Sequence, residues 1–250
     1  MRSLSVLPLL FFFLTQAVAL LGQSSAASAG DATVVMINDE PVSADEYKLV
    51  MDRQVARVYS HFKQTRDLDD CAGYWSASSG PEGPLAKLRE MTLEELIRIK
   101  VYQSQAKARG LVKETRFARF RAAFEGENDR RLAAKAKGEV IYGPPQYRLT
   151  TYYFILLGDL VFKLEQAMSK ELELTITQSE VDAFLEKHRE EFAPLSPEDA
   201  RQRAVVVLST RAAAKKLQDL RAAATTQVQP DPLALIVPRN DAGPAVQRTL

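Results

Sequence analysis

Cysteine is almost missing from this 250-residue chain: Cys71 stands alone, so no intrachain disulfide can brace the fold. Histidine is nearly as scarce. His61 and His188 are the only two, both inside stretches of helical spacing and far from any ligand-like pattern. That scarcity removes the usual material of a metal centre or a histidine-assisted nucleophile. No Ser/His/Asp order, phosphate-binding glycine loop or dinucleotide fingerprint occurs. Cys71 lies beside Asp69 and Asp70, whose negative charge disfavours a thiolate. The adjacent pairs Glu94-Glu95 and Glu190-Glu191 point about 100° apart on a helix and read as solvated charge. No catalytic residue, cofactor or metal site is expected.

A charge excess is lacking too. The chain has 33 basic and 32 acidic residues, a net charge of +1. So balanced a chain has no global attraction for nucleic acid or anionic membrane. The basic stretch from Lys113 to Lys137 therefore reads as the solvated face of a helix.

Long apolar runs are confined to the N-terminus. Arg2 precedes an apolar run from Leu4 to Leu21, and the small residues Ala27 and Ala29 follow, which is the pattern of a secretory signal cleaved after Ala29. Retention as an anchor is the alternative, because the run approaches spanning length. Cleavage removes one charge, Arg2, and leaves 221 residues with 32 basic and 32 acidic side chains. The expectation is an exported protein of the periplasm or extracytoplasmic envelope, without stable membrane insertion once the signal is gone.

Beyond residue 30 the pattern is mostly helical. Val34 to Ile37 is a short β-branched run that reads as a strand. Asn38-Asp39 suits a tight turn, since both tolerate left-handed conformations. Ser43 and Glu46 then form a capping box that starts a helix with Tyr47, Met51, Val55, Val58 and Phe62 on one stripe. Residues 65–83 are turn-rich and acidic and read as a long loop carrying Tyr74 and Trp75. Pro84 opens a second helix that stops at Gly110. Further helices are expected from about Lys113 to Lys137 and from Thr150 to Leu172, joined by a Pro/Gly connection with Tyr142. In the latter helix Leu156, Leu160 and Leu164 are expected to face inward. Thr177 and Glu180 make a second capping box, and Ser196-Pro197 starts another helix. "AVVVLST" has strand propensity, but the four-and-three spacing from Val206 to Ala224 assigns it to that helix. "TTQVQ" reads as a short strand, and residues 230–250 as a disordered tail.

These pieces in this order resemble the SurA/PrsA-like foldase family. The resemblance rests on "VVMINDEPVSADEY" after a signal, on a helix ending "AKARGL", and on "TITQSEVDAFLEKHREEFAP". Ile37, Asn38, Glu40, Pro41, Val42, Ser43 and Tyr47 fit the first family pattern, with Asp39 in place of the usual glycine. Glu180, Val181, Phe184 and Phe192 fit the later one. The match covers roughly 33–47, 84–111 and 177–228. It implies a mainly α fold: a multi-helix chaperone cradle whose N-terminal strand pairs near the C-terminal segment around Val228. The implied domain is residues 30–229, with lobes 30–112 plus 177–229 and 113–176. The implied partners are unfolded or nascent exported polypeptides. The family's parvulin isomerase domain, with its histidine pair and Gly-Gly-Asp segment, has no counterpart, so the resemblance implies the chaperone part without catalysis. A proline isomerase of secreted proteins and a dedicated envelope or secretion partner are the alternatives. The oligomeric state is left open.

Client-binding residues are sought among exposed aromatics, because rings bind many sequences without specific chemistry. The candidates are Tyr142, Tyr147 and Tyr152, with Tyr74 and Trp75 of the long loop extending the wall.

Overall fold

The computed structural model describes residues 29–69, 73–75 and 82–238. The expected signal, residues 1–29, lies outside the described residues except for Ala29, as do Cys71 and residues 239–250. The described protein is mainly helical with one small sheet.

The sheet begins where the β-branched run predicted it. Thr33–Ile37 form β1, and its residues 34, 35 and 37 are buried. Asn38 and Asp39 take positive φ values of 47° and 65°. Two consecutive left-handed residues match the twist of a tight hairpin, so the chain folds straight back as β2 (Glu40–Ser43). The capping box at Ser43 predicts a helix straight after the turn, but a second strand intervenes. Pro41 hid it, since proline argues against a central strand, but β2 is the outer strand in the order β2-β1-β3 and tolerates it. The other edge of β1 pairs antiparallel with β3 (Thr226–Val228), with Val35 opposite Val228. The pairing expected around Val228 is present.

Eight α-helices follow among the described residues. They are α1 (Ala44–Arg66), α2 (Pro84–Ala108), α3 (Phe117–Ala136), α4 (Leu149–Glu173), α5 (Gln178–Lys187), α6 (Arg189–Phe192), α7 (Pro197–Ala222) and α8 (Pro230–Ala234). Gly110 follows α2 with a φ of 70°, a conformation that favours glycine and ends the helix there. The run "AVVVLST" lies within α7. At α5 both halves of the capping box form: Glu180 N donates to Thr177 Oγ1 at 3.3 Å, and Thr177 N to Glu180 Oε2 at 2.7 Å. At α1 only one half forms. Ser43 Oγ accepts from Glu46 N at 3.2 Å, but the Glu46 carboxylate does not return to the cap; it turns into the protein.

Three apolar clusters organise the packing. The largest joins β1, β2, α1 and α2 to Phe117 of α3 and to Tyr153 and Leu157 of α4. A second joins Ala106 of α2, Leu164 and Met168 of α4, and Ala213 and Leu217 of α7. A third packs Val181, Phe184 and Phe192 against Ala200 and Ala204 at the start of α7. Because α4 packs along both α7 and α2, residues 113–176 do not stand apart as a lobe. The buried stripe of α4 is Tyr153, Leu157, Leu164 and Met168. Leu156, expected inward, is 39% exposed.

The tail expectation needs correcting at its start. Residues 230–234 form α8, Ile236 is buried in the largest cluster, and Val237 O accepts from Lys48 Nζ at 3.0 Å. The low-hydrophobicity composition of the whole tail masked these few apolar residues, "LALIV", which have a groove beside α1 to fill.

Candidate functional site

Glu46 is fully buried, on the first turn of α1. Its Oε2 lies 2.8 Å from Lys100 Nζ of α2, itself buried, and its Oε1 accepts from the Tyr153 hydroxyl of α4 at 2.8 Å. Three helices thus meet at one carboxylate. Burial pushes the Tyr153 phenol well above its ordinary range, and the adjacent Glu46 carboxylate pushes the same way. Tyr153 is accordingly a committed hydrogen-bond donor and not a base.

Above this polar floor lies a cavity of about 300 Å³, between the α2–α3 connection, α3 and α4. Glu46, Gln103 and Tyr153 form its floor; Leu111, Val112, Phe117, Phe120, Leu156 and Leu160 form its walls. The size falls at the lower end of ligand pockets. Its rim carries both signs of charge: Glu114, Arg116, Arg119 and Asp159. Glu114 is held by Arg116, whose guanidinium lies 2.8 Å away, and this bond brings its carboxyl down to about 2. Asp159 pairs with Lys163 at 2.7 Å. Both rim carboxylates are therefore held by cations, Arg119 forms no ion pair among the described residues, and the walls offer apolar contact. No group of three or more His, Cys, Asp or Glu side chains suited to a metal occurs among the described residues. The arrangement can hold an apolar group; it presents no nucleophile with an adjacent base.

The aromatic residues singled out from the sequence fall into three environments. Tyr74 and Trp75 are 1% and 2% exposed and packed at a tilt against Tyr59, at centroid distances of 4.7 and 5.2 Å. They are core, not an extension of a binding wall: turn-rich flanks placed them in a connection, but two large rings gain more from burial than a loop gains by exposing them. Tyr147 and Tyr152 are half-buried. Tyr152 packs on Phe120, Phe124 and Tyr147, and Tyr147 lies under the Arg131 guanidinium at 4.5 Å. Tyr142 alone is open, at 88%. The structure thus brings Tyr147 and Tyr152 together, links them through Phe120 to the cavity, and sets Tyr74 and Trp75 elsewhere.

The cavity itself escaped sequence reasoning. One signal was available: Leu88, Thr92, Leu96 and Lys100 follow at steps of four on α2, so Lys100 falls on that helix's buried stripe. A lysine there demands a carboxylate partner.

No protein-family model, no curated protein and no solved structure matches the chain.

Proposed function

We propose that this protein is an exported, non-catalytic holdase that binds unfolded polypeptides by taking their apolar side chains into the cavity between α3 and α4. The observation that carries this reading is the composition of that cavity: apolar walls from three segments, closed below by the Glu46–Lys100–Tyr153 cluster and rimmed by Glu114 and Asp159, each held by a cation. Walls of this kind bind by area and tolerate many sequences. A mixed-charge rim suits polypeptide better than a ligand of one charge. The resemblance of the sequence to SurA/PrsA-like chaperones adds to the same reading.

The test uses Leu156, which reaches the cavity yet is 39% exposed, so that a charge there is tolerated by the fold. Leu156→Glu should abolish most of the suppression of aggregation of a chemically unfolded model protein, with an unchanged melting temperature. Full suppression by the folded variant would reject the cavity as the client site.

A further inference from the structure

The α3–α4 connection is basic, tied to α3 by side-chain hydrogen bonds, and carries exposed apolar residues. It leaves α3 at Lys137, turns through Gly138 (φ 73°) and Gly143 (φ 85°), and returns so that Tyr147 lies beside Asn128. Asn128 Oδ1 accepts from Tyr147 N at 2.8 Å, and Asn128 Nδ2 donates to Tyr147 O at 3.1 Å. Arg131, only 5% exposed, donates to Tyr142 O at 2.5 Å and to Pro144 O at 2.7 Å. Buried guanidinium and amide groups spent on backbone carbonyls fix a loop's shape. Yet the segment so fixed carries Val140 and Tyr142 at 82% and 88% exposure, which no fold energetics requires.

The surroundings say what the tip fits. Residues 130–148 hold Arg130, Arg131, Lys135, Lys137 and Arg148 against one acid, Glu139: five minus one, a charge of +4, in a chain whose total is +1. Arg130 and Arg131 are engaged with Glu127. Lys135, Lys137 and Arg148 are exposed and form no ion pair among the described residues. Leu174, at 91% exposure, is the contrast: its neighbours Glu171 and Glu173 are acidic. An exposed aliphatic residue and an exposed tyrosine ring on a segment with three unpaired cations have the two components of interfacial lipid binding, apolar burial at the headgroup boundary and attraction to negative headgroups. We propose that this tip docks the protein peripherally on an anionic lipid surface. Among the described residues no helix is long and apolar enough to cross a membrane, so the contact is interfacial. None of the tip residues lines the cavity, which stays open while the tip is docked.

The test places a probe at the tip of the full chain. Trp75, the one native tryptophan, is buried and supplies a constant background, so a Tyr142→Trp variant reports the tip. Its emission should shift to the blue with vesicles of phosphatidylglycerol and phosphatidylcholine in equal parts, and not with phosphatidylcholine alone. Adding Lys135→Gln and Lys137→Gln should weaken that partitioning at least about tenfold, as should raised salt. In the native background, Val140→Ser with Tyr142→Ser should reduce sedimentation with the mixed vesicles and leave the melting temperature unchanged. An equal shift with both vesicle types overturns the proposal. So does no shift with either, an outcome that would assign the tip to a protein partner.

Discussion

Lys100 Nζ and Glu46 Oε2 lie 2.8 Å apart with both side chains sealed from solvent, and the Tyr153 hydroxyl completes the carboxylate. This one contact ties α1, α2 and α4 together beneath the cavity. It also removes the Glu46 side chain from the helix cap where its sequence position would put it.

Breaking that pair leaves an uncompensated buried charge. Lys100→Met should therefore destabilise the protein by about 3–5 kcal/mol. Adding Glu46→Gln to it removes the orphaned charge and keeps an acceptor for Tyr153. The double variant should recover at least about 1 kcal/mol of the loss in urea unfolding. A double variant less stable than Lys100→Met would mean that the pair does not behave as a coupled buried charge.

The buried phenols set an alkaline limit. Burial pushes Tyr47 up to about 12 against the opposing charge of Arg89, and Tyr153 is also raised. In the unfolded chain both ionise near pH 10. Above that pH the unfolded state holds fewer protons than the folded one, so stability falls as pH rises; below about pH 9 these groups contribute no slope. Tyr47 alone accounts for a loss on the order of 2–3 kcal/mol by pH 12. Melting temperatures of Tyr47→Phe should consequently decline less steeply than wild type from pH 9 to 11. Parallel declines would show that the Tyr47 phenol ionises without opposing the fold.

Asn38 closes the sheet at the hairpin turn. Its N–H donates to Thr225 O at 3.0 Å, and its Oδ1 accepts from Thr225 N at 2.8 Å. Asn38→Gly keeps the positive φ and loses the Oδ1 bonds to Thr225 N and Oγ1, a cost of about 1 kcal/mol. Asn38→Ala adds the left-handed penalty of about 1–2 kcal/mol. Equal losses for the two variants in urea unfolding would remove backbone strain from the account.

What could be read directly from residues was local. Thr177 and Glu180 cap each other across three positions, so their roles follow from spacing. Asn38 and Asp39 adopt the left-handed turn that their short polar side chains allow. Ser43 and Glu46 present the same spacing, yet the distant Lys100 and Tyr153 outbid the cap for the carboxylate. Burial of Tyr74 and Trp75 depends on Tyr59 and Phe62 in another element, and no local pattern separates a ring on a loop from a ring under one. The cavity was illegible for the same reason. Its walls come from Leu111, Phe117 and Leu156, which share no periodicity and meet only when α3 and α4 close on α2. The clamp of Arg131 on the carbonyls of Tyr142 and Pro144 was hidden likewise, in a helix whose arginines look alike on paper.

The sheet has its own timetable. β1 is among the first segments of the described chain to emerge from a ribosome, and its partner β3 is nearly the last: Asn38 and Thr225 are separated by 187 positions. Until Thr226–Val228 arrives, one edge of a hydrophobic strand stands open, because the helices made before it cover the face of the hairpin and leave that edge unpaired. An open edge recruits other strands, and such long-range closure is slow. The protein's own nascent chain therefore spends most of its synthesis as the kind of unprotected polypeptide that a holdase is built to hold.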